Sequence, residues 1–217
     1  MRMKSGSERV ILLHGLARSR RSFAKMERAL KRAGFVVVNY GYASRRSNIE
    51  TLAREVIPKA LSQGLGKYRR THFVAHSLGG ILIRQYLSEQ SIEGLGRVVM
   101  LGPPNKGSHV VDRLGGFPGF KWLNGPAGLE LGTSKASIPN RLGPANFELG
   151  VITGTRSINW ILSLMIPGVD DGKVSVENTK LKGMRDHLEV PVSHPYLMSD
   201  KRVIEPTIRF LKTGKFN

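Results

Sequence analysis

Ser77 lies in Val74-Ala75-His76-Ser77-Leu78-Gly79-Gly80, where an apolar run over 71–75 passes through a single serine into a helical pattern over 79–87. A serine on a sharp strand-to-helix turn projects its hydroxyl above a sheet, the arrangement a nucleophile needs. The backbone there is strained and crowded, so small neighbours are required. Gly79 meets that requirement, and Ala75 stands where the G-x-S-x-G pattern has its first glycine. The competing reading of Ser77 is a helix N-cap, whose oxygen would accept a bond from the first helical turn.

A serine nucleophile requires a base, and the base requires a carboxylate to fix its tautomer and stabilise its cation. The chain order Ser, Asp, His is satisfied downstream. A strand pattern over 150–154 and an apolar insertion over 158–166 lead to Asp170-Asp171-Gly172-Lys173-Val174, and a strand pattern over 188–192 delivers Ser193-His194. Pro195 then prevents regular structure from continuing. Asp171, immediately before the glycine, is read as the acid and His194 as the base; Asp170 is the rival acid and Asp112 a more distant one. Among the other histidines, His14 and His76 belong to motifs where they support backbone geometry. His72 and His187 open strands, where a hydrogen-bonded, partly buried role is expected, and His109 follows Pro103-Pro104-Asn105-Lys106-Gly107, too early for the base. No histidine pair has zinc-ligand spacing on a helix, and cysteine is absent, so no metal and no cofactor is expected.

Near the amino terminus a strand over 10–13 runs into His14-Gly15-Leu16. Together these positions resemble small bacterial lipases and esterases of the α/β-hydrolase superfamily. The likeness covers His14-Gly15, Ala75-His76-Ser77-Leu78-Gly79-Gly80, Leu101-Gly102-Pro103-Pro104-Asn105-Lys106-Gly107-Ser108, Asp170 to Val174 and Ser193-His194, nearly the whole chain. An alanine at the first elbow position also occurs in some lipases of that superfamily. The resemblance implies carboxylic-ester hydrolysis through an acyl-serine, with Ser77, Asp171 and His194 as triad and the backbone amides of Leu16 and Leu78 as oxyanion donors. Substrate contacts are expected from His14, Gly15, His76, Pro103 and Trp160. The same set would serve acyl transfer or amide hydrolysis, and those alternatives stay open here.

The elements needed to hold these residues are legible as alternating strand and helix patterns. Strands are expected over 10–13, 36–40, 71–75, 97–101, 147–154 and 188–192, with helices over 22–33, 48–61, after Ser77, and over 203–212. Such alternation predicts a mostly parallel sheet of roughly six strands covered on both faces, a compact α/β-hydrolase fold in a single domain. Residues 102–146, rich in glycine and proline, read as a loop-dominated cap or crossover in which Phe117, Phe120, Trp122 and Leu123 could line an acyl pocket. The apolar run over 158–166 is too short to cross a bilayer; it reads as a buried helical turn, with a pocket wall or lipid contact as alternatives. The absence of a large lid favours short acyl chains.

Charge is the other distinctive property: 34 Lys and Arg against 16 Asp and Glu give +18, concentrated in residues 1–70. Arg18, Arg20 and Arg21 directly follow the His-Gly step. A field of this size attracts anionic surfaces in a salt-sensitive way. Solvated helix faces are the ordinary reading of such charge; finger, single-strand and other nucleic-acid signatures are absent, and contact with an anionic membrane is the alternative, beside a small-molecule or lipid ester as substrate. The opposing reading from another class is a noncatalytic hydrolase-like binder of such surfaces. The basic first nine residues precede only four apolar ones and do not form a signal peptide; a cytoplasmic monomer is the default expectation.

Overall fold

A computed structural model of the chain describes residues 6–64, 66–158 and 163–217. Six strands form one sheet in the order β2-β1-β3-β4-β5-β6, every neighbouring pair parallel. They are β1 (Glu8–Leu13), β2 (Val36–Tyr40), β3 (Arg70–His76), β4 (Leu95–Leu101), β5 (Leu149–Gly154) and β6 (Asp186–Val190). The helices are α1 (Ala24–Arg32), α2 (Ile49–Leu61), α3 (Leu78–Glu89), α4 (His109–Leu114), α5 (Pro118–Leu129), α6 (Ile138–Arg141), α7 (Val176–Thr179) and α8 (Lys201–Thr213).

The strands are apolar on both faces because both faces are covered. In β1, Ile11 and Leu13 join a cluster with Leu52 and Val56 of α2 and Ile81 of α3, while Val10 and Leu12 join another with Met26 and Leu30 of α1 and Val203 and Phe210 of α8. The same alternation continues along β3, where Phe73 and Ala75 face the first layer and Val74 the second. Strand register therefore decides which residues reach the carboxyl edge of the sheet. There Leu13, Ala75 and Met100 are aligned across β1, β3 and β4.

Several boundaries differ from the sequence expectation for identifiable reasons. The helix expected over 22–33 opens as a 3-10 turn, Arg20–Phe23, before α1. The last strand begins at Asp186 and stops at Val190, since Pro191 offers no N–H to continue the ladder. The cap is more helical than its composition suggests. Pro118 occupies the first turn of α5, and Gly125 (φ 65°, ψ −175°) breaks that helix, with Pro126 following the break. Gly125 is required at the break: a Cβ there would lie 2.3 Å from the Arg45 carbonyl oxygen. Arg84, buried on α3, ties the helix to this crossover. Its guanidinium donates to Asn105 O and Oδ1, Pro139 O and Gly143 O at 2.9–3.2 Å. Burial pulls its pKa down to about 10.

Candidate active site

Ser77 occupies the step between β3 and α3 with φ 51° and ψ −119°. Among the described residues only Ala17 shares a positive φ without being glycine. Such a conformation costs a residue with a Cβ about 1–3 kcal/mol and persists only where its surroundings enforce it. Here the Ser77 N–H donates to Leu101 O on β4 at 3.0 Å, and its carbonyl accepts from Gly80 N–H at 3.0 Å. The side chain makes no capping bond to the helix, which removes the N-cap reading and leaves the hydroxyl free for chemistry. Two glycines are dictated by crowding: a Cβ at Gly79 would stand 2.6 Å from Leu13 O, and one at Gly15 would stand 2.6 Å from His76 Nδ1. Ala75 is tolerated because its methyl packs inside the first apolar layer.

Asp171 and His194 meet across the carboxyl ends of β5 and β6. His194 Nδ1 lies 2.7 Å from Asp171 Oδ2, and the His194 N–H donates to Asp171 O at 2.9 Å, so backbone and side chain both hold the pair. The second oxygen, Oδ1, accepts from Lys173 N–H at 3.0 Å and Val174 N–H at 2.9 Å. Asp171 is fully buried, and these bonds fix its carboxylate toward the ring. With Nδ1 protonated toward it, Nε2 is the nitrogen left to accept a proton. The rival Asp170 is spent on local structure, accepting from Gly172 N–H at 2.6 Å and Ser163 Oγ at 2.9 Å. Asp112 sits on α4 and caps Thr133. Gly102, with φ 54°, closes the pocket around the pair; a Cβ there would fall 2.9 Å from Asp171 Oδ2 and 3.0 Å from His194 Nδ1.

The opposite side is a turn closed by the Arg18 N–H on Gly15 O at 3.3 Å. Leu16 lies inside this turn, and Leu78 opens α3, where a backbone N–H has no intrahelical acceptor. The loop after β2 clamps the turn. Tyr42 donates its hydroxyl to His14 O at 2.7 Å and its N–H to His14 Nε2 at 3.2 Å, and the rings stack with centroids 4.3 Å apart. That pairing makes Nδ1 the protonated nitrogen of His14, donating to Gly15 O at 2.9 Å. Ser44 Oγ accepts from Ala17 N–H at 3.0 Å, supporting the strained residue. Tyr42 and Ser44 carry no motif and gave no signal in the sequence.

Ser77, His194, Asp171, His76 and Leu16 all line one cavity of about 220 Å³, together with Phe120, Asn124, Val174 and others from the cap and the acid loop. Three expected substrate contacts stand elsewhere. His14 and Gly15 build the turn behind the wall, and Pro104 rather than Pro103 faces the space. Trp160 lies outside the described residues. Of the cap aromatics only Phe120 lines the cavity, while Phe117, Trp122 and Leu123 face solvent. The described part of the 158–166 run is mixed: Ile158 lines the cavity yet is exposed, Leu164 is exposed, and Ile166 is buried. His76 donates Nε2–H to His194 O at 3.0 Å, and burial, reinforced by the neighbouring His194, holds it well below the usual imidazole range. It is thus a neutral ring that holds the His194 backbone. His72 and His187 are hydrogen-bonded at their strands as expected, to Arg97 N–H at 2.8 Å and Thr153 Oγ1 at 2.9 Å.

The sequence profile of the alpha/beta hydrolase family matches residues 10–174. No curated protein matches the chain. Among solved structures, the mature lipase BlEst2 of Bacillus licheniformis has a similar fold, with TM-score 0.72 and 15% identity over 99% of this chain and 96% of that one. The phospholipase PlaB of Legionella pneumophila gives TM-score 0.68 and 16% identity over 97% of this chain, which spans 60% of the Legionella chain. A monoacylglycerol lipase of Paleococcus ferrophilus gives TM-score 0.61 and 16% identity over 97% of both chains.

Proposed function

The chain belongs to the alpha/beta hydrolase family, and on that premise we propose that it is a carboxylic-ester hydrolase working through an acyl-serine intermediate. The observation that carries the reading is the 2.7 Å contact of His194 Nδ1 with buried Asp171, beside a strained serine in the same cavity. His194 Nε2 takes the Ser77 proton as the oxygen attacks the ester carbonyl, and the amides of Leu16 and Leu78 receive the oxyanion. Each such donor contributes on the order of 3 kcal/mol to the transition state. His194 then protonates the leaving alcohol, and water repeats the cycle on the acyl-enzyme with Asp171 stabilising the imidazolium throughout. The lipase, phospholipase and monoacylglycerol lipase of similar fold support an ester as the scissile bond. The small cavity supports a short acyl chain or one that extends outward past Ile158. The test is turnover of 4-nitrophenyl butyrate: wild type hydrolyses it, and Ser77→Ala and His194→Ala lose it by several orders of magnitude. Equal turnover in all three proteins removes the reading.

The surface around the cavity supports a lipid-water boundary as the place of action. The large apolar side chains that face solvent among the described residues belong to segments that also line the cavity or adjoin those that do. Phe117 caps α5, Trp122 and Leu123 stand on it, Ile158, Leu164 and Val169 precede the acid, and Tyr196 follows the base. Trp122 is 81% exposed. An exposed apolar cluster of this kind marks an interaction surface, and the net charge of +18 selects anionic lipid. Among the described residues no helix is long and apolar enough to cross a membrane. Both apolar layers pack on the same sheet, which supports one domain.

A further inference from the structure

Two cations face the reaction cavity with no carboxylate of their own. Arg18 and Lys173 both line it, and among the described residues neither joins an ion pair, although Arg54, Arg69, Arg185 and Arg202 all find acidic partners. Their backbones are fixed on opposite sides of the reaction centre. The Arg18 N–H closes the turn that holds Leu16, and the Lys173 N–H is bonded to Asp171 Oδ1. Asp171 makes no ion pair with either side chain: its oxygens are bonded to His194, Lys173 N–H and Val174 N–H. Both side chains line the cavity while remaining exposed to solvent, and they act on each other: the surrounding protein together with the Arg18 charge pulls the Lys173 ammonium below the ordinary lysine value, against the pull of Asp171. Both also repel a proton from His76. Like charges held at one cavity are unfavourable until an anion enters between them.

We infer that the cavity takes esters that carry a negative charge close to the scissile carbonyl, and that Arg18 and Lys173 form the subsite for that charge. The inference rests on the ester-hydrolase reading and adds its substrate class. An anionic group meets a guanidinium fork from the oxyanion side and an ammonium from the acid side, which orients the carbonyl toward Ser77 before attack. A phosphate and a carboxylate share this chemistry. Neutral esters lack the contact and leave the two cations opposed.

The experiment measures kcat/KM for two matched pairs, each with one anionic and one neutral member: 4-nitrophenyl hydrogen glutarate against 4-nitrophenyl pentanoate, and a lysophosphatidic acid against the monoacylglycerol of the same chain. In the double variant Arg18→Gln, Lys173→Gln the anionic-to-neutral ratio falls by about tenfold or more, the loss expected for charge-assisted contacts. A fall confined to one pair assigns the subsite to phosphate or to carboxylate. An unchanged ratio in both pairs overturns the inference, as does an equal fall in Arg20→Gln, Arg21→Gln, which removes the same charge outside the cavity. If the double variant does not fold, Arg18→Gln lowers the ratio and Arg18→Lys restores most of it. If wild type shows no Ser77-dependent turnover, the ester-hydrolase reading fails separately. The subsite is then judged by calorimetric binding of dodecyl phosphate to wild type, which weakens about tenfold in the double variant; equal affinity overturns it.

Discussion

Replacing Asp171 by asparagine tests how the base is oriented, and the structure fixes what the new amide must do. Asp171 Oδ1 accepts two backbone N–H groups, from Lys173 and Val174, while Oδ2 faces His194 Nδ1. The amide oxygen of Asp171→Asn has to remain toward the two backbone donors, so its NH2 is turned to His194. A donor facing Nδ1 forces the ring proton onto Nε2, and that tautomer has no lone pair for the Ser77 proton. The loss expected from a wrong tautomer is ~10⁴ in kcat, or ~5.4 kcal/mol in the barrier. Asp170→Asn is the internal control. Its Oδ1 acceptor for Gly172 N–H and Ser163 Oγ survives as an amide oxygen, and kcat should stay within a few-fold. Steady-state hydrolysis of 4-nitrophenyl butyrate, with urea unfolding to confirm that both variants fold, gives the comparison. An Asp171→Asn enzyme within tenfold of wild type, or a larger loss in Asp170→Asn, refutes the reasoning.

Tyr42→Phe removes the 2.7 Å bond to His14 O and loosens the turn that carries Leu16. Its expected effect is a fall in kcat of about tenfold with KM little changed, since the donor acts on the transition state; a rise in KM alone would contradict a positioning role. Gly102→Ala places a methyl 2.9 Å from Asp171 Oδ2 at a φ of 54°, so activity should fall at least about a hundredfold and urea stability should drop as well. Burial lowers the pKa of His14, His72, His76 and His187, so below the unfolded histidine value of about 6.5 the unfolded chain binds more protons than the native one. Stability is therefore full above that pH and declines as pH falls toward 5, by up to ~1.4 kcal/mol per pH unit for each such proton. Urea midpoints at pH 7.5, 6.5, 5.5 and 5.0 check this, and a constant midpoint would count against four neutral native rings.

The alternation of six strands with helices was legible, and Ser77, Asp171 and His194 stood out as candidates, because each depends on residue types that do little else in that setting. A serine between an apolar strand and a glycine-rich helix start, a carboxylate before Gly172, and a histidine before Pro195 carry their meaning locally. The choice of Asp171 over Asp170 is decided by which carboxylate the backbone of 172–174 encloses, and neighbouring aspartates look alike until that turn is formed. The cap helices were hidden because proline and glycine mark loops by composition, while here Pro118 begins a helix and Gly125 only breaks it. The clamp from Tyr42 and Ser44 had no sequence signal at all. It joins residues 28 positions apart for Tyr42 and 27 for Ser44, and no periodicity or short motif encodes such a contact. His14 and Gly15, expected at the substrate, build the turn beside the cavity without lining it. Gly15 has to admit His76, which leaves the turn, and not its glycine, facing the cavity.

The central claim is that the Ser77 hydroxyl is made nucleophilic by the His194–Asp171 pair. A fluorophosphonate carrying a short alkyl chain, followed by intact mass and peptide mapping, measures this at the atom concerned. The account predicts a single adduct on Ser77, absent in Ser77→Ala and formed at least about a hundredfold more slowly in His194→Ala. An adduct elsewhere, or labelling of Ser77 at the same rate without the imidazole, contradicts it.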